Sequence, residues 1–504
     1  MFIAKLIING RQTEAAGGAT FERRDLLTGA VVTRASACGV AGALVAADAA
    51  AAAFPMWSSA APKMRAEILK NSAAVLHSRA DDIVAIACRE VGATEEWIRF
   101  NISVAQTMLR EAAKLCAYLG EEAIENPNGP ATDLNYRLLR KPAGVILGIA
   151  PWNAPVALAV RAVASPLALG NTVVLKASEL CPKTHETVAE VFSEAGLPDG
   201  VLNFITNAPV DAHDVVDALI AHPAVRRINF TGSSRVGREI ALSAAQHFKR
   251  CVLELSGKGT IIVLDDADIE GTAEAVAHAT FFNQGQICMS ADRIIVDDAI
   301  ADTFIAAFRE KAEQLRSSQM ETERSPLGDI ISSDAVLRIK GLIDDATRKG
   351  AVLVTGGEMF NTALQPTILD RVSFGMRIYE EEVFGPVAGV IRVADAEEAL
   401  TIANDTEFGL VASVFGADTA RAGAIARQIE TGIVHVNGST VYDDPAMPFG
   451  GVKASGYGRF GGKAAVHEFT ETQWITERAK PVDVLVGQHE GVRAGSRNQG
   501  RKTI

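Results

Sequence analysis

Five short runs decide the fold: Gly144-Val-Ile-Leu-Gly-Ile-Ala150, Thr172-Val-Val-Leu-Lys176, Val201-Leu-Asn-Phe-Ile205, Arg226-Arg-Ile-Asn-Phe230 and Cys251-Val-Leu-Glu-Leu255. Each is brief and mostly apolar or β-branched, which predicts strands, several of them buried on both faces. Longer helical stretches separate them, starting near Pro155, Pro182, Pro209 and Ser234. Strands alternating with helices predict an α/β fold built on a parallel sheet. Such sheets bind ligands beyond the carboxyl ends of their strands, so function is sought in the residues that follow each run.

Working outward, two helical regions precede this unit. Residues 40–54 are Ala-rich, and residues 63–120 carry Ile68, Val75, Ile83 and Ile86 at helical spacing. A polar excursion from 120 to 142 contains Asn126-Pro127-Asn128-Gly129-Pro130, strong turn chemistry, and reads as a hairpin arm or a linker. A second α/β stretch runs from 261 to about 436, and the polar, Gly- and Arg-containing tail after Gln488 is expected to be mobile. No internal repeat recurs at a fixed period.

Composition bounds the function. The chain has 504 residues, about three domains' worth, with 49 Lys and Arg against 61 Asp and Glu, a net charge of −12. That excludes a broad basic footprint for nucleic acid. With 48% hydrophobic and 22% charged residues the chain is globular, so disorder as the main theme is excluded too. The six cysteines (Cys38, Cys88, Cys116, Cys181, Cys251, Cys288) are scattered and form no C-x-x-C, which removes support for a zinc ribbon, a dithiol motif or a disulfide framework. The first ten residues are too weakly apolar for a secretory segment, and the apolar stretch 156–170 is interrupted by Arg161. It is also shorter than the roughly 20 residues of a membrane span. The expectation is a cytoplasmic protein with no membrane partner and no metal site.

Among motifs, Gly456-Tyr-Gly458-Arg-Phe-Gly461 matches G-x-G-x-x-G, but it neither follows a strand run nor opens a βαβ unit, so it is set aside as a phosphate cradle. A better anion site is Phe230-Thr-Gly232-Ser233-Ser-Arg-Val-Gly237, where a strand gives way to a helix whose free N–H groups suit a pyrophosphate. The same segment reads equally as an ordinary N-cap by Ser233. Cys288 lies in a Gly-containing bend, Asn283-Gln-Gly-Gln-Ile-Cys288, where a thiol is reachable and backbone amides would favour its thiolate. Taken alone, it reads as a buried structural cysteine. Its company differs: Glu254 is a carboxylate inside an apolar strand, suited by burial to base chemistry, and Asn153 follows another strand with an amide fit for an oxyanion.

The combination resembles the NAD(P)-dependent aldehyde dehydrogenase superfamily from about residue 5 to 476. The carrying segments, in order, are Pro151-Trp152-Asn153, Val174-Leu-Lys176-Ala-Ser-Glu179, Phe230-Thr-Gly-Ser233, Leu253-Glu254-Leu255, Gly285-Gln-Ile-Cys288, Glu381-Glu382-Val-Phe384-Gly-Pro386 and Pro448-Phe-Gly-Gly451. Within the superfamily the chain is most similar to the bacterial vanillin and salicylaldehyde group, through Ala245-Gln-His-Phe-Lys-Arg-Cys-Val-Leu-Glu254, Gln284-Gly-Gln-Ile-Cys-Met-Ser290 and His435-Val-Asn-Gly-Ser-Thr440. The resemblance implies a Rossmann-like NAD-binding domain (1–120 and 142–255), a second α/β catalytic domain (256–452), a small β oligomerisation arm (121–141 and 470–487) and the tail 488–504. It also implies a homodimer or homotetramer.

The resemblance implies a chemistry as well. Cys288 would attack an aldehyde carbon, Asn153 and the Cys288 N–H would hold the oxyanion, and loss of hydride to NAD would leave a thioester. Glu254 would then activate water to release the acid. Lys176 and Glu179 would hold the adenine-side ribose, where a carboxylate favours NAD over NADP. Ser233 would face the pyrophosphate, Glu382 and Phe384 would position the nicotinamide ribose and ring, and Trp152 and Gly232 would also bind the cofactor. Two departures stand out: Ser256 replaces the glycine common after Glu-Leu, and Thr206-Asn-Ala-Pro209 lacks the Gly-rich sequence of many relatives near the adenine.

For the substrate, an aromatic aldehyde is expected, with a non-aromatic aldehyde or a cofactor-independent thiol hydrolase as alternatives. Arg161, two helical turns beyond Asn153, is a candidate for a phenolic or methoxy oxygen and equally for a structural ion pair. Trp97 is a candidate pocket wall or core residue, and Tyr442 a further lining candidate.

Overall fold

The computed structural model describes residues 1–125, 134–315 and 327–478. The turn expected at 126–130, the end of the expected arm at 479–487 and the tail 488–504 lie outside the described residues. The chain divides into two units: Met1–Leu119 with Lys141–Glu471, and Gly120–Arg140 with the chain from Thr472 onward.

The larger unit is built on two large sheets, of eight and seven strands, beside two small ones. In the first, the five runs lie parallel in the order Arg250–Glu254, Val225–Thr231, Val145–Ile149, Thr172–Lys176, Leu202–Ile205. The earliest of these strands in the chain thus sits beside the fourth, and the order reverses between Val145–Ile149 and Val225–Thr231. A crevice opens at such a point, and the segments that leave these two strands are Pro151-Trp-Asn153 and Thr231-Gly-Ser233. Strand alternation separates the two cores. Val145, Leu147 and Ile149 join Ala43, Ala46, Ala47 and Ala50 of helix Val40–Ser58 on one face, whereas Ile146 joins the helix Pro155–Ala168 on the other. Alanine lets the first helix approach closely enough for the Thr172 hydroxyl to donate to the Ala50 carbonyl at 2.9 Å. By length and composition alone Val40–Ser58 is apolar enough to cross a membrane; here its alanine face lies on the sheet.

Antiparallel strands close both edges of this sheet. Gly456–Tyr457 lines up on Arg250–Glu254, with Glu254 opposite Gly456. The G-x-G-x-x-G match therefore begins as an edge strand. Gly456 has φ 103°, and a Cβ there would lie 2.1 Å from the Leu253 carbonyl oxygen, so glycine lets two backbones meet. The second sheet orders Val352–Thr355, Thr367–Asp370, Val387–Val393, Ala291–Asp297, Gly259–Val263, Val411–Phe415 and Ile433–Val436, parallel except for the first.

The single helical pattern expected over 63–120 is three helices, Pro62–Ser78, Ala80–Val91 and Glu95–Leu115. Gly92 closes the second with φ 71°, and Thr94 caps the third by accepting the Trp97 N–H at 3.2 Å. The apolar spacing runs across both breaks, so periodicity alone does not show them. In the smaller unit Gly120–Ile124 pairs with Leu134–Pro142, and Thr470–Arg478 completes a three-stranded sheet. There Tyr136 stacks on Trp474 with centroids 6.0 Å apart.

One buried carboxylate anchors the cofactor-side elements. Glu90 accepts from the hydroxyls of Thr33 and Thr184, each at 2.7 Å, and from the N–H groups of Thr184 (2.9 Å) and Lys183 (3.0 Å). It caps helix Pro182–Glu194, directly after the segment carrying Lys176 and Glu179. Glu90→Ala is expected to lower stability by about 3 kcal/mol, read as a fall in the urea midpoint, because four donors lose their acceptor.

Candidate active site

The loop that carries Cys288 is held by backbone geometry. Asn283, Gln284 and Gly285 are left-handed in succession (φ 50°, 58° and 65°), which turns the chain sharply from helix Ile269–Phe281 toward Cys288. A Cβ on Gly285 would lie 2.2 Å from the Gly385 carbonyl oxygen, so glycine is required. Gln286 locks the turn from both ends of its amide, donating to the Asp329 carbonyl (3.0 Å) and accepting the Ile331 N–H (2.9 Å).

Cys288, Glu254 and Asn153, which leave three different segments of the chain, line one cavity of about 230 Å³ together with Trp152, Gly232, Ser233, Glu382 and Phe384. Glu254 is 1% exposed, and both of its carboxyl oxygens lack a hydrogen-bond partner. Burial pushes its pKa up while the charge of Arg161 works against that. The Cys288 thiol is pushed well above its ordinary range, first by burial and then by the charge of Glu254. Both effects favour the protonated thiol, so forming the thiolate calls for a base.

Asn153 is held at three points. Its side-chain amide donates to the Gln286 carbonyl at 3.0 Å, which leaves its second N–H for another acceptor. Its own carbonyl accepts the Trp97 indole N–H (2.8 Å) and the Asn283 amide (3.3 Å). Trp97 is buried against Phe100 and Phe282 and acts on Asn153 from behind; it does not line the cavity.

A longer cavity of about 560 Å³ shares Trp152, Gly232 and Ser233 with the first and runs on to Lys176 and Glu179. Midway, the Ser233 hydroxyl caps helix Ser234–Gln246 by accepting the Val236 N–H at 3.4 Å. Lys176 pairs with Glu179, and Asn207 donates to the same carboxylate at 3.0 Å. The loop lacking the Gly-rich sequence thus contributes Asn207, with Pro209 and Val210 in the cavity wall. At the other end the Glu382 carboxyl accepts the Gly257 N–H at 2.7 Å, and burial followed by the nearby Asp292 pushes its pKa up to about 8. Phe384 is left-handed (φ 49°) and meets the Trp152 ring edge-on at 5.9 Å. An elongated cleft with a carboxylate at one end, a helix N-terminus midway and a carboxylate with an aromatic ring at the other fits a dinucleotide.

Arg161 pairs with Asp443, both 7% exposed, and its guanidinium lies 4.1 Å over the Phe449 ring. The pair lines a further cavity with Met108, Met447, Phe449 and Phe460. Tyr442, the neighbour of Asp443, is 58% exposed against His435 and lines neither this cavity nor that of Cys288. Ser256 offers its hydroxyl to the Ser234 N–H at 3.5 Å and its carbonyl to the Ser455 hydroxyl at 2.6 Å. Sequence reading missed Asn207, Gln286, Asp443 and Lys258. Only Lys258 leaves a local signal, as a charge immediately before the apolar strand Gly259–Val263.

With this geometry in place, the comparisons are specific. The aldehyde dehydrogenase family model matches residues 13–475. A vanillin dehydrogenase of Pseudomonas fluorescens is 49% identical over 481 residues, covering 95% of this chain and 99% of that protein. A benzaldehyde dehydrogenase of Pseudomonas putida, designated for NAD⁺, is 36% identical over 429 residues, covering 85% and 87%. A crystal structure of a salicylaldehyde dehydrogenase from Pseudomonas putida G7, complexed with salicylaldehyde, superposes with a TM-score of 0.91 at 43% identity, covering 95% of this chain and 98% of that one. The chain belongs to the aldehyde dehydrogenase family.

Proposed function

We propose that this protein oxidises an aromatic aldehyde to its carboxylic acid with NAD, through a covalent intermediate on Cys288. The observation that carries the reading is the convergence of a thiol, an unpartnered buried carboxylate and a half-used amide at one end of a dinucleotide-shaped cleft. The relatives named for vanillin, benzaldehyde and salicylaldehyde support the aromatic substrate class.

Glu254 is the base that faces the thiol, so the Cys288 proton passes to its carboxylate as sulfur bonds to the aldehyde carbon. The free N–H of Asn153 and the Cys288 N–H stabilise the resulting oxyanion. Bound NAD supplies the acceptor for the hydride that leaves this carbon. Collapse of the oxyanion to the carbonyl expels that hydride and leaves a thioester on Cys288. Glu254, having released its proton to solvent, takes one from water, the water oxygen bonds to the acyl carbon and the C–S bond breaks. The Arg161–Asp443 pair, set among aromatic side chains, supports recognition of a ring oxygen, with Arg161 as donor. Trp97 acts on Asn153, and Tyr442 stands exposed beside Asp443.

A carboxylate at Glu179, held by Lys176 and Asn207, accepts from a ribose 2′-hydroxyl and repels a 2′-phosphate, which supports NAD over NADP. Six cysteines scattered along the chain with no C-x-x-C fit a reducing cytoplasm. The exposed Trp474, stacked on Tyr136, supports assembly through the three-stranded sheet into a homodimer or homotetramer.

Cys288→Ala is expected to abolish NADH formation across a panel of hydroxylated, methoxylated and unsubstituted benzaldehydes. Glu254→Gln is expected to lower the steady-state rate by about 10²–10⁴-fold, the usual size of a general-base contribution. Normal turnover in either variant refutes the assigned role. In the wild type, kcat falls as the pH drops through the Glu254 pKa, because the base form is then lost. Burial raises that pKa, so the acid limb lies above the ordinary carboxylate range. Glu179→Thr is expected to shift the ratio of kcat/KM for NAD over NADP about tenfold toward NADP, equivalent to ~1.4 kcal/mol; an unchanged ratio removes Glu179 from cofactor choice.

A further inference from the structure

Lys258 follows the base strand and directly precedes the second sheet, and its side chain is wholly buried. Its ammonium donates to the Asp292 carboxylate (3.3 Å), the Ile378 carbonyl (3.0 Å) and the Glu381 carbonyl (2.8 Å). Asp292 turns its other oxygen to the Val383 N–H at 2.8 Å. From outside, Arg338 donates to the Glu382 carbonyl at 3.0 Å and to the Val383 carbonyl. Three side chains therefore hold five backbone groups between residues 378 and 383, immediately before the left-handed Phe384.

Stability does not explain such an arrangement, since a buried ion pair can often be replaced by apolar side chains at little cost. What it does supply is a fixed position. A lysine has three donor protons, and here three acceptors converge on them, two of them on the segment that carries Glu382.

We propose that Lys258 and Asp292 are positioning residues that hold residues 378–384, so that the Glu382 carboxyl and the Phe384 ring meet the nicotinamide end of the cofactor. The inference rests on the reading of Glu382 and Phe384 as cofactor contacts. It separates two functions that share one cleft. Cofactor binding and hydride transfer depend on the clamp directly, whereas Lys258 donates to neither Cys288 nor Glu254, so ester hydrolysis at Cys288 feels the clamp only through the charge of Glu382.

The test uses purified full-length Lys258→Met and Asp292→Asn with three readouts. The first is NAD affinity by calorimetry without aldehyde. The second is NAD-free hydrolysis of 4-nitrophenyl acetate, in which the Cys288 sulfur bonds to the acetyl carbon, 4-nitrophenolate leaves and water returns acetate. The third is aldehyde-dependent NADH formation. Lys258→Met is expected to bind NAD about tenfold more weakly and to form NADH at least about tenfold more slowly, with nitrophenolate release within about twofold of wild type. Asp292→Asn, which keeps the side-chain shape, is expected to show the same pattern at smaller size, and it alone decides if the methionine variant does not fold. Unchanged NAD affinity, or an equal loss of ester hydrolysis and NADH formation, overturns the proposal, the second because it reports a general structural role. If wild type forms no NADH with any aldehyde, the proposed function fails, while the difference in NAD affinity still decides the clamp.

Discussion

Between Glu254, which ends a strand of the first sheet, and Gly259, which begins a strand of the second, the chain passes a point where no side chain fits. A Cβ on Gly257 would lie 2.1 Å from the carbonyl oxygen of Cys288. This contact sets the strand of Glu254 against the loop of Cys288 at backbone distance. Around it the geometry has little freedom: the Gly257 N–H goes to Glu382, the Ser256 carbonyl to Ser455 and the Lys258 ammonium to the segment 378–381. One short connection thereby registers the base, the thiol and the cofactor-side carboxylate against each other. Catalysis gains from such preorganisation because nothing has to be assembled when charge develops.

The site concentrates buried ionisable groups that a folded chain normally avoids. Glu254, Glu382 and the Cys288 thiol are all pushed upward by burial, which makes each hold a proton more tightly than it would in water. For an acid–base cycle that bias is useful. A carboxyl group whose proton affinity approaches neutrality both takes a proton from sulfur or water and gives it up again. The charges that moderate the bias are structural pairs in their own right. Arg161 opposes the burial shift of Glu254, while Asp443 and the Phe449 ring hold Arg161 in place.

Much of this was legible along the chain, and the reason differs by element. The five strands of the first sheet show because each is buried on both faces and interrupted by helices. The ends of the helices at 62–115 do not show, because their apolar periodicity continues through Gly92 and Thr94. Cys288, Glu254 and Asn153 announce themselves by unusual company: a thiol after a glycine turn, an acid inside an apolar strand and an amide at a strand end. Trp97 is different. Its aromatic ring suggested a pocket wall, yet its indole N–H holds the Asn153 carbonyl from the far side, a role that no spacing encodes.

The amino-acid sequence by itself determined the α/β class, the membership of Cys288, Glu254 and Asn153 in one candidate site and the acidic balance that leaves no broad basic footprint for nucleic acid. These are properties of residue type and local pattern. Only the tertiary structure decided that Arg161 is paired with Asp443, 282 residues away, and that Asn207 braces Glu179. It alone decided that burial and the charge of Glu254 raise the Cys288 pKa and that Lys258 and Asp292 hold the segment around Glu382. The physical reason is the same in each case. Burial and hydrogen-bond partners depend on what packs against a side chain from elsewhere in the chain, and that neighbour is set by how the sheets and loops meet.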